Sequence, residues 1–139
     1  MNTYRGSCGC GAVEYGFTGE PLNQVFCYCK ACQRHTGTDK WFGLWVPLEK
    51  LEFTKGEPRR FTRSGDSGSD MHHLFCGDCG TTLCVEVCVG NFYTVAAGTV
   101  RGEVPFAPKM VIYRAEAPDW AVFPEDVPQY DKLPPNLAL

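Results

Sequence analysis

Several features that mark well-known classes of protein are missing from this chain of 139 residues. It has no run of about 18 consecutive apolar residues, so we expect no membrane-spanning helix. It has no run of Lys or Arg, and its formal net charge of −3 argues against binding of nucleic acid through phosphate neutralisation. The amino-terminal segment MNTYRGSCGCG lacks the basic-then-apolar pattern of an export signal. We therefore expect a cytoplasmic protein.

Long stretches with helical periodicity are also scarce, because 15 Gly and 10 Pro divide the chain into short segments. Only residues 30–35 predict a helical turn. The repeated prolines from residue 115 onwards predict an extended tail along the surface. No linker or repeat divides the chain, so the sequence predicts a single, mostly β domain over residues 1–139. Alternating apolar and polar residues predict strands at 11–17, 24–28, 42–46, 59–62, 72–76, 82–89, 92–97 and 110–114.

Cysteine is the residue type present in unusual number, with nine in the chain. An odd number of cysteines without an export signal argues against a disulfide framework. Thiols at short spacings instead indicate metal, because zinc binds thiolates at about 2.3 Å in a tetrahedral arrangement. Seven of the nine form three groups, which are Cys8-Gly-Cys10, Cys27-Tyr-Cys29-Lys-Ala-Cys32 and Cys76-Gly-Asp-Cys79.

Two zinc sites can be assembled from these groups. The first and third groups together would form a closed structural site. We call them the four-cysteine cluster: Cys8, Cys10, Cys76 and Cys79. The second group would supply three ligands and leave one coordination position open, as catalytic zinc sites do. We call it the cysteine trio: Cys27, Cys29 and Cys32. The spacing also allows the third group to join the trio instead.

Other interpretations of the cysteines remain open. A lone C-x-x-C is also the pattern of a redox pair or of two buried packing residues. The trio would become a second structural site if His35, His72 or His73 completed it. Cys84 and Cys88 are separated by four strand steps, about 13 Å, which is too far for one metal ion or one disulfide. We expect these two cysteines to be packing residues.

The cysteine groups and their flanking residues resemble the glutathione-dependent formaldehyde-activating enzyme and centromere protein V family, from about residue 6 to 134. The resemblance implies an Mss4-like fold of small curved antiparallel sheets, pinned by zinc at the four-cysteine cluster, with a second zinc on the trio. Two positions depart from the family pattern, because Tyr28 stands where many members have His and Lys109 lies near another frequent His. The matching segments are Gly6-Ser-Cys8-Gly-Cys10-Gly11, the trio, and Phe75-Cys76-Gly-Asp-Cys79-Gly80-Thr81.

The resemblance further implies a carbon–sulfur lyase with glutathione as co-substrate, which joins it to formaldehyde as S-hydroxymethylglutathione. The trio would be the catalytic group. Three thiolates leave a divalent ion with net negative charge, so we expect it to hold a soft thiolate or polarise a small aldehyde. Arg34 is the first candidate for binding glutathione, because a guanidinium matches a carboxylate with two hydrogen bonds. The alternatives are Lys30, Arg59, Arg60 and Arg63.

Two other functions remain as alternatives. A methionine sulfoxide reductase would need Cys84 or Cys88 as its redox-active thiol, and the sequence shows no activating neighbour for either. A non-catalytic, zinc-stabilised binding module would use both zinc ions structurally. His72 and His73 fall on opposite faces of one strand, so at most one faces the trio, where it could move a proton. We expect small thiol and aldehyde substrates, with no nucleic acid and no membrane, and the sequence leaves open whether the chain forms a homodimer.

Overall fold

A computed structural model describes residues 1–103 and 105–135. The positions 104 and 136–139 of the predicted domain lie outside these ranges. Within them the chain is mostly β, with open sheets, which confirms the predicted fold class. The elements are β1 (Thr3–Ser7), β2 (Glu14–Thr18), β3 (Asn23–Cys27), α1 (Lys30–Thr36), β4 (Trp41–Pro47), β5 (Leu51–Lys55), β6 (Arg59–Ser64), β7 (Asp70–Phe75), β8 (Thr82–Val87), β9 (Phe92–Ala96) and β10 (Met110–Ile112).

The strands form two sheets. The smaller sheet has the order β1-β2-β5, and the larger has the order β10-β3-β4-β9-β8-β7-β6. Neighbouring strands are antiparallel, except that β10 runs parallel to β3. None of the helices in the described ranges is long and apolar enough to cross a membrane.

Strand β4 lies in the middle of the molecule and is covered on both faces. Leu44 belongs to a core cluster that includes Tyr15 and Phe17 of the smaller sheet. Trp45, the next residue, belongs to a second cluster with Phe92 on the opposite face. Successive side chains of a strand point to opposite faces, so a strand buried on both faces is continuously apolar. This explains the uninterrupted run WFGLWV in β4.

Helix α1 is short and has a defined residue at each end. It begins after Cys29, whose sulfur accepts a hydrogen bond from the Cys32 N–H at 3.2 Å. It ends at Gly37, which has the left-handed angles φ 73° and ψ 18°. The Gln33 side chain donates to the Tyr28 carbonyl at 2.8 Å and to the Glu116 carbonyl at 3.0 Å. These bonds fix the helix against the end of β3 and the segment that follows β10.

The segment 128–132, which we call the edge strap, runs alongside β10. The Val111 N–H donates to the Pro128 carbonyl, and the Tyr130 N–H donates back to Val111, both at 2.9 Å. The Tyr113 N–H donates to the Lys132 carbonyl at 3.0 Å. The predicted extended tail therefore covers the outer edge of the larger sheet, where unpaired backbone groups would otherwise face solvent.

Candidate metal centres and the adjoining cavity

The four-cysteine cluster gathers sulfur atoms from both sheets. The Sγ atoms of Cys8 and Cys10 are 3.7 Å apart, and those of Cys10 and Cys76 are 3.8 Å apart. All four sulfurs lie within 4.8 Å of one another. Tetrahedral zinc with bonds of about 2.3 Å requires sulfurs roughly 3.8 Å apart, so this donor set fits zinc. The third cysteine group lies with the first and not with the trio.

Two short loops position these sulfurs. Cys8 and Cys10 lie between β1 and β2, whereas Cys76 and Cys79 lie in the turn between β7 and β8. The Val13 N–H donates to the Cys8 sulfur at 3.3 Å. Hydrogen bonds from Thr81 lower the pKa of Cys79 to about 5, and the two side chains are 3.2 Å apart. A thiol that ionises easily is prepared for metal binding, because the ligand is the thiolate.

The cysteine trio forms where β3 leads into α1. Cys27 is the last residue of β3, Cys29 caps the helix, and Cys32 lies in its first turn. The three sulfurs lie within 4.8 Å of one another, and no other Cys, His, Asp or Glu in the described ranges joins that group. This geometry does not support the alternative in which a histidine completes the trio. A metal ion held by these three sulfurs would have a fourth position for an external ligand.

The three thiols of the trio differ in pKa. Hydrogen bonds from the Cys27 and Cys32 thiols lower the pKa of Cys29 to about 2, helped by the Cys32 N–H and the positive charge of Arg63. The pKa of Cys27 is raised by its hydrogen bond to Cys29 and by burial, and the pKa of Cys32 is raised by its hydrogen bonds to Cys27 and Cys29 and by burial. The trio therefore concentrates negative charge on the Cys29 sulfur.

A cavity of about 310 Å³ opens beside the trio and includes all three cysteines in its wall. Trp41, Trp45 and Phe92 form an apolar part of the wall. The Trp41 indole N–H donates to the Thr94 hydroxyl at 3.0 Å, which fixes the orientation of the ring. The charged residues in the wall are Lys30, Arg63, Asp66, Asp70 and Glu116.

The predicted glutathione-binding residue and its alternatives occupy different positions. Arg34 is exposed in the last turn of α1 and is not among the lining residues, whereas Lys30 and Arg63 are. Tyr28 is fully buried, and its ring centroid lies 4.8 Å from that of Phe123. Lys109 is exposed and does not line the cavity. Neither departure from the family pattern therefore alters the cavity wall.

Of the two adjacent histidines, His73 is the one buried near the cavity residues. The Arg63 Nε–H donates to His73 Nε2 at 3.0 Å. Because an arginine always donates, Nε2 must be the acceptor and the neutral ring carries its proton on Nδ1. That nitrogen is buried and has no hydrogen-bond partner among the described residues. The His35 ring stacks on His73 with centroids 4.0 Å apart.

Sequence reasoning named His73 and Arg63 separately but did not pair them. Strands β6 and β7 are joined across the turn SGDSGSD, and their register places Arg63 opposite Met71. Arg63 and His73 are then diagonal neighbours on one face of the sheet. The apolar alternation of β6 and β7, together with the turn between them, could have predicted from the sequence that Arg63 and His73 are neighbours.

Comparison with known proteins places the chain in a family. The family model described as glutathione-dependent formaldehyde-activating enzyme matches residues 3–116. The chain belongs to the glutathione-dependent formaldehyde-activating enzyme family. This confirms the resemblance seen in the sequence, and the match includes both cysteine sets. No curated protein is matched by the sequence.

A solved structure of another protein is similar to this chain. The crystal structure of a Rhodobacter sphaeroides protein superimposes with a TM-score of 0.57 and shares 24% sequence identity. The match covers 73% of this chain and 91% of that one. At this identity the likeness shows the fold alone. Residues 117–135, which include the edge strap, lie beyond the family match.

Proposed function

We propose that this family member is a zinc-dependent carbon–sulfur lyase that joins formaldehyde to glutathione as S-hydroxymethylglutathione. The observation that carries the proposal is a set of three thiols, without a fourth protein ligand in the described residues, in the wall of a cavity of about 310 Å³. The family description supplies the chemical class of both substrates. Many enzymes place a metal with one open position at such a cavity.

Cys27, Cys29 and Cys32 would hold the catalytic zinc. Zinc bound there would lower the pKa of an incoming thiol and polarise an aldehyde oxygen. The Cys32 N–H and the Arg63 charge stabilise the negative charge on the Cys29 sulfur. These contacts favour the ionised form of Cys29, one of the three ligands, before a substrate arrives.

The reaction needs no oxidant or reductant. A sulfur–carbon bond forms between glutathione and the aldehyde carbon, the thiol loses its proton, and the carbonyl oxygen gains one. Trp41, Trp45 and Phe92 in the cavity wall exclude water from the reacting atoms. Holding both substrates in one cavity is then the main source of rate acceleration.

The charged part of the cavity wall suits a tripeptide with two carboxylates and one ammonium group. Arg63 is half-buried, and no carboxylate forms an ion pair with it within residues 1–103 and 105–135. Its Nε–H is committed to His73, so its terminal nitrogens are left to bind a substrate carboxylate. Asp66, Asp70 and Glu116 supply negative charge for the ammonium group. We therefore propose Arg63, in place of Arg34, as the carboxylate-binding residue.

The variant Cys29→Ser tests the proposal. We expect it to lose one zinc ion per chain and to lower glutathione-dependent formaldehyde consumption by more than about 100-fold, since even residues behind a metal ligand contribute 10–100-fold. Zinc content and turnover should be measured on the same sample. Circular dichroism should show that the variant remains folded.

Cys88→Ser is the matched control, because it makes the same chemical change outside the trio and outside the cavity wall. We expect its turnover to equal that of the parent protein. Full activity in Cys29→Ser would overturn the lyase proposal and favour the non-catalytic, zinc-stabilised module.

A further inference from the structure

A third cluster of metal-binding side chains lies apart from both cysteine sets. His72, Glu86 and Cys88 each offer one ligand atom, and these atoms lie within 4.8 Å of one another. All three residues are half-buried. None of them belongs to the four-cysteine cluster, to the trio or to the cavity wall.

The sheet brings the three residues together. His72 of β7 is directly opposite Glu86 of β8 in the antiparallel register. Cys88 follows two residues after Glu86, so it lies on the same face. The Cys88 N–H donates to the Asp70 carbonyl at 3.2 Å, which continues the strand pairing beyond the end of β8. The backbone therefore holds the three side chains side by side.

The His72 ring is held in an orientation that suits a metal ligand. Its Nδ1 lies 2.8 Å from the hydroxyl of Thr62, the cross-strand neighbour on β6. With the proton on Nδ1, the hydroxyl accepts it and Nε2 keeps its lone pair for a metal. Metal-binding histidines commonly use their second nitrogen in this way, which fixes both the tautomer and the ring.

The charge and chemistry of the cluster indicate the kind of ion. A thiolate, a carboxylate and a neutral imidazole together balance a divalent cation. Mixed sulfur, nitrogen and oxygen ligands favour zinc, cobalt or nickel over magnesium or calcium, which prefer oxygen alone.

We propose that His72, Glu86 and Cys88 form a third metal site, which binds one divalent ion of the zinc class. The site lies on the face of β7 and β8 opposite to His73 and leaves a position for water or another ligand. Cys88 is then a ligand and not only a packing residue. The proposal does not depend on the lyase activity, because it uses no residue of the trio or of the cavity wall.

Native mass spectrometry of the full chain in zinc-supplemented buffer tests this site. We expect His72→Asn and Cys88→Ser each to carry one zinc fewer than the parent protein. Glu52→Gln is the matched control, because it removes an exposed carboxylate from β5, outside all three clusters. It should carry the parental number.

Alkylation of individual cysteines, read by peptide mass spectrometry, gives a second measurement. Cys88 should react at least about 10-fold faster in His72→Asn than in the parent, since loss of a neighbouring ligand weakens metal binding by 10–100-fold or more. The rate at Cys29 should be the same in both proteins. Equal zinc numbers in all four proteins would overturn the proposal, whatever the outcome for the lyase.

Discussion

The hydrogen bond between Arg63 and His73 sets the protonation state of the buried ring. A proton on His73 Nε2 would point at the Arg63 guanidinium, 3.0 Å away, so the charged ring is disfavoured. Burial, with the positive charges of His35 and Arg63, lowers the pKa of His73 to about 4. In the unfolded chain the same ring has a pKa near 6.5.

This pKa shift predicts how stability depends on pH. Between about pH 6.5 and pH 4 the unfolded chain takes up a proton that folded His73 does not, so acidification through that window destabilises the fold. We expect this loss to be about 2–3 kcal/mol and to be absent in His73→Gln. Urea denaturation of both proteins across the window measures it. The same dependence of unfolding free energy on pH in the two proteins would contradict the lowered pKa of His73 as its cause.

The choice between Arg63 and Arg34 is also made at the level of single residues. We expect Arg63→Gln to raise the KM for glutathione by roughly 10-fold or more, because a charge-assisted hydrogen bond contributes about 1.5–3 kcal/mol. Arg34→Gln is the control, since that side chain is exposed and outside the cavity wall. Steady-state kinetics with varied glutathione distinguish them. The reverse result would restore the assignment made from sequence.

At the level of elements, the end of α1 depends on the backbone of one glycine. Gly37 has φ 73°, and its N–H donates to the Gln33 carbonyl at 2.8 Å. A Cβ added there would meet no atom within 4 Å, so a substitution would cost only backbone strain. The helix carries Cys29 at its cap and Cys32 in its first turn, at the end opposite to Gly37.

We expect Gly37→Ala to lower the free energy of unfolding by about 1–2 kcal/mol, the cost of left-handed backbone for a residue with a Cβ. Gly37→Asn should cost less, because asparagine tolerates that conformation. Urea denaturation of the two variants gives the comparison. Equal losses in Ala and Asn would show that the left-handed backbone is not the cause.

The sequence predicted α1 and eight of the ten strands in the described ranges but missed β1 and β5. Strand β1 reads TYRGS and has a single buried residue, Gly6, so its apolar pattern is too sparse to recognise. Strand β5 reads LEFTK, in which only Leu51 and Phe53 alternate. Both form the outer strands of the smaller sheet, where pairing with β2 and not local pattern determines the structure.

For the molecule as a whole, the four-cysteine cluster connects the two sheets. The β1–β2 loop contributes one pair of cysteines and the β7–β8 turn contributes the other. The spacing of the cysteines predicted the three groups, because metal geometry restricts sulfur positions tightly, but it left open which set the third group would join. The cavity wall was less predictable, since Arg63, Phe92 and Tyr113 reach it from segments far apart in sequence.

We expect Cys10→Ser to lower the free energy of unfolding by at least about 3 kcal/mol, because loss of a structural metal is among the most destabilising single changes. Urea denaturation, with zinc content measured in parallel, provides the comparison. Cys88→Ser should lower the free energy of unfolding much less, since the proposed metal site at Cys88 connects only neighbouring strands of one sheet. A small effect in Cys10→Ser would mean that apolar packing alone holds the sheets together.

The parallel pairing of β3 with β10 has a consequence for biosynthesis. The trio lies near the start of the chain, whereas β10, the edge strap and Glu116 lie near the other end of the described residues. During translation, the three cysteines therefore leave the ribosome well before the residues that complete their cavity. During that interval the thiols are open to oxidants and to competing metals. A translation product that stops after β9 would carry the metal-binding residues of the trio without a complete substrate cavity.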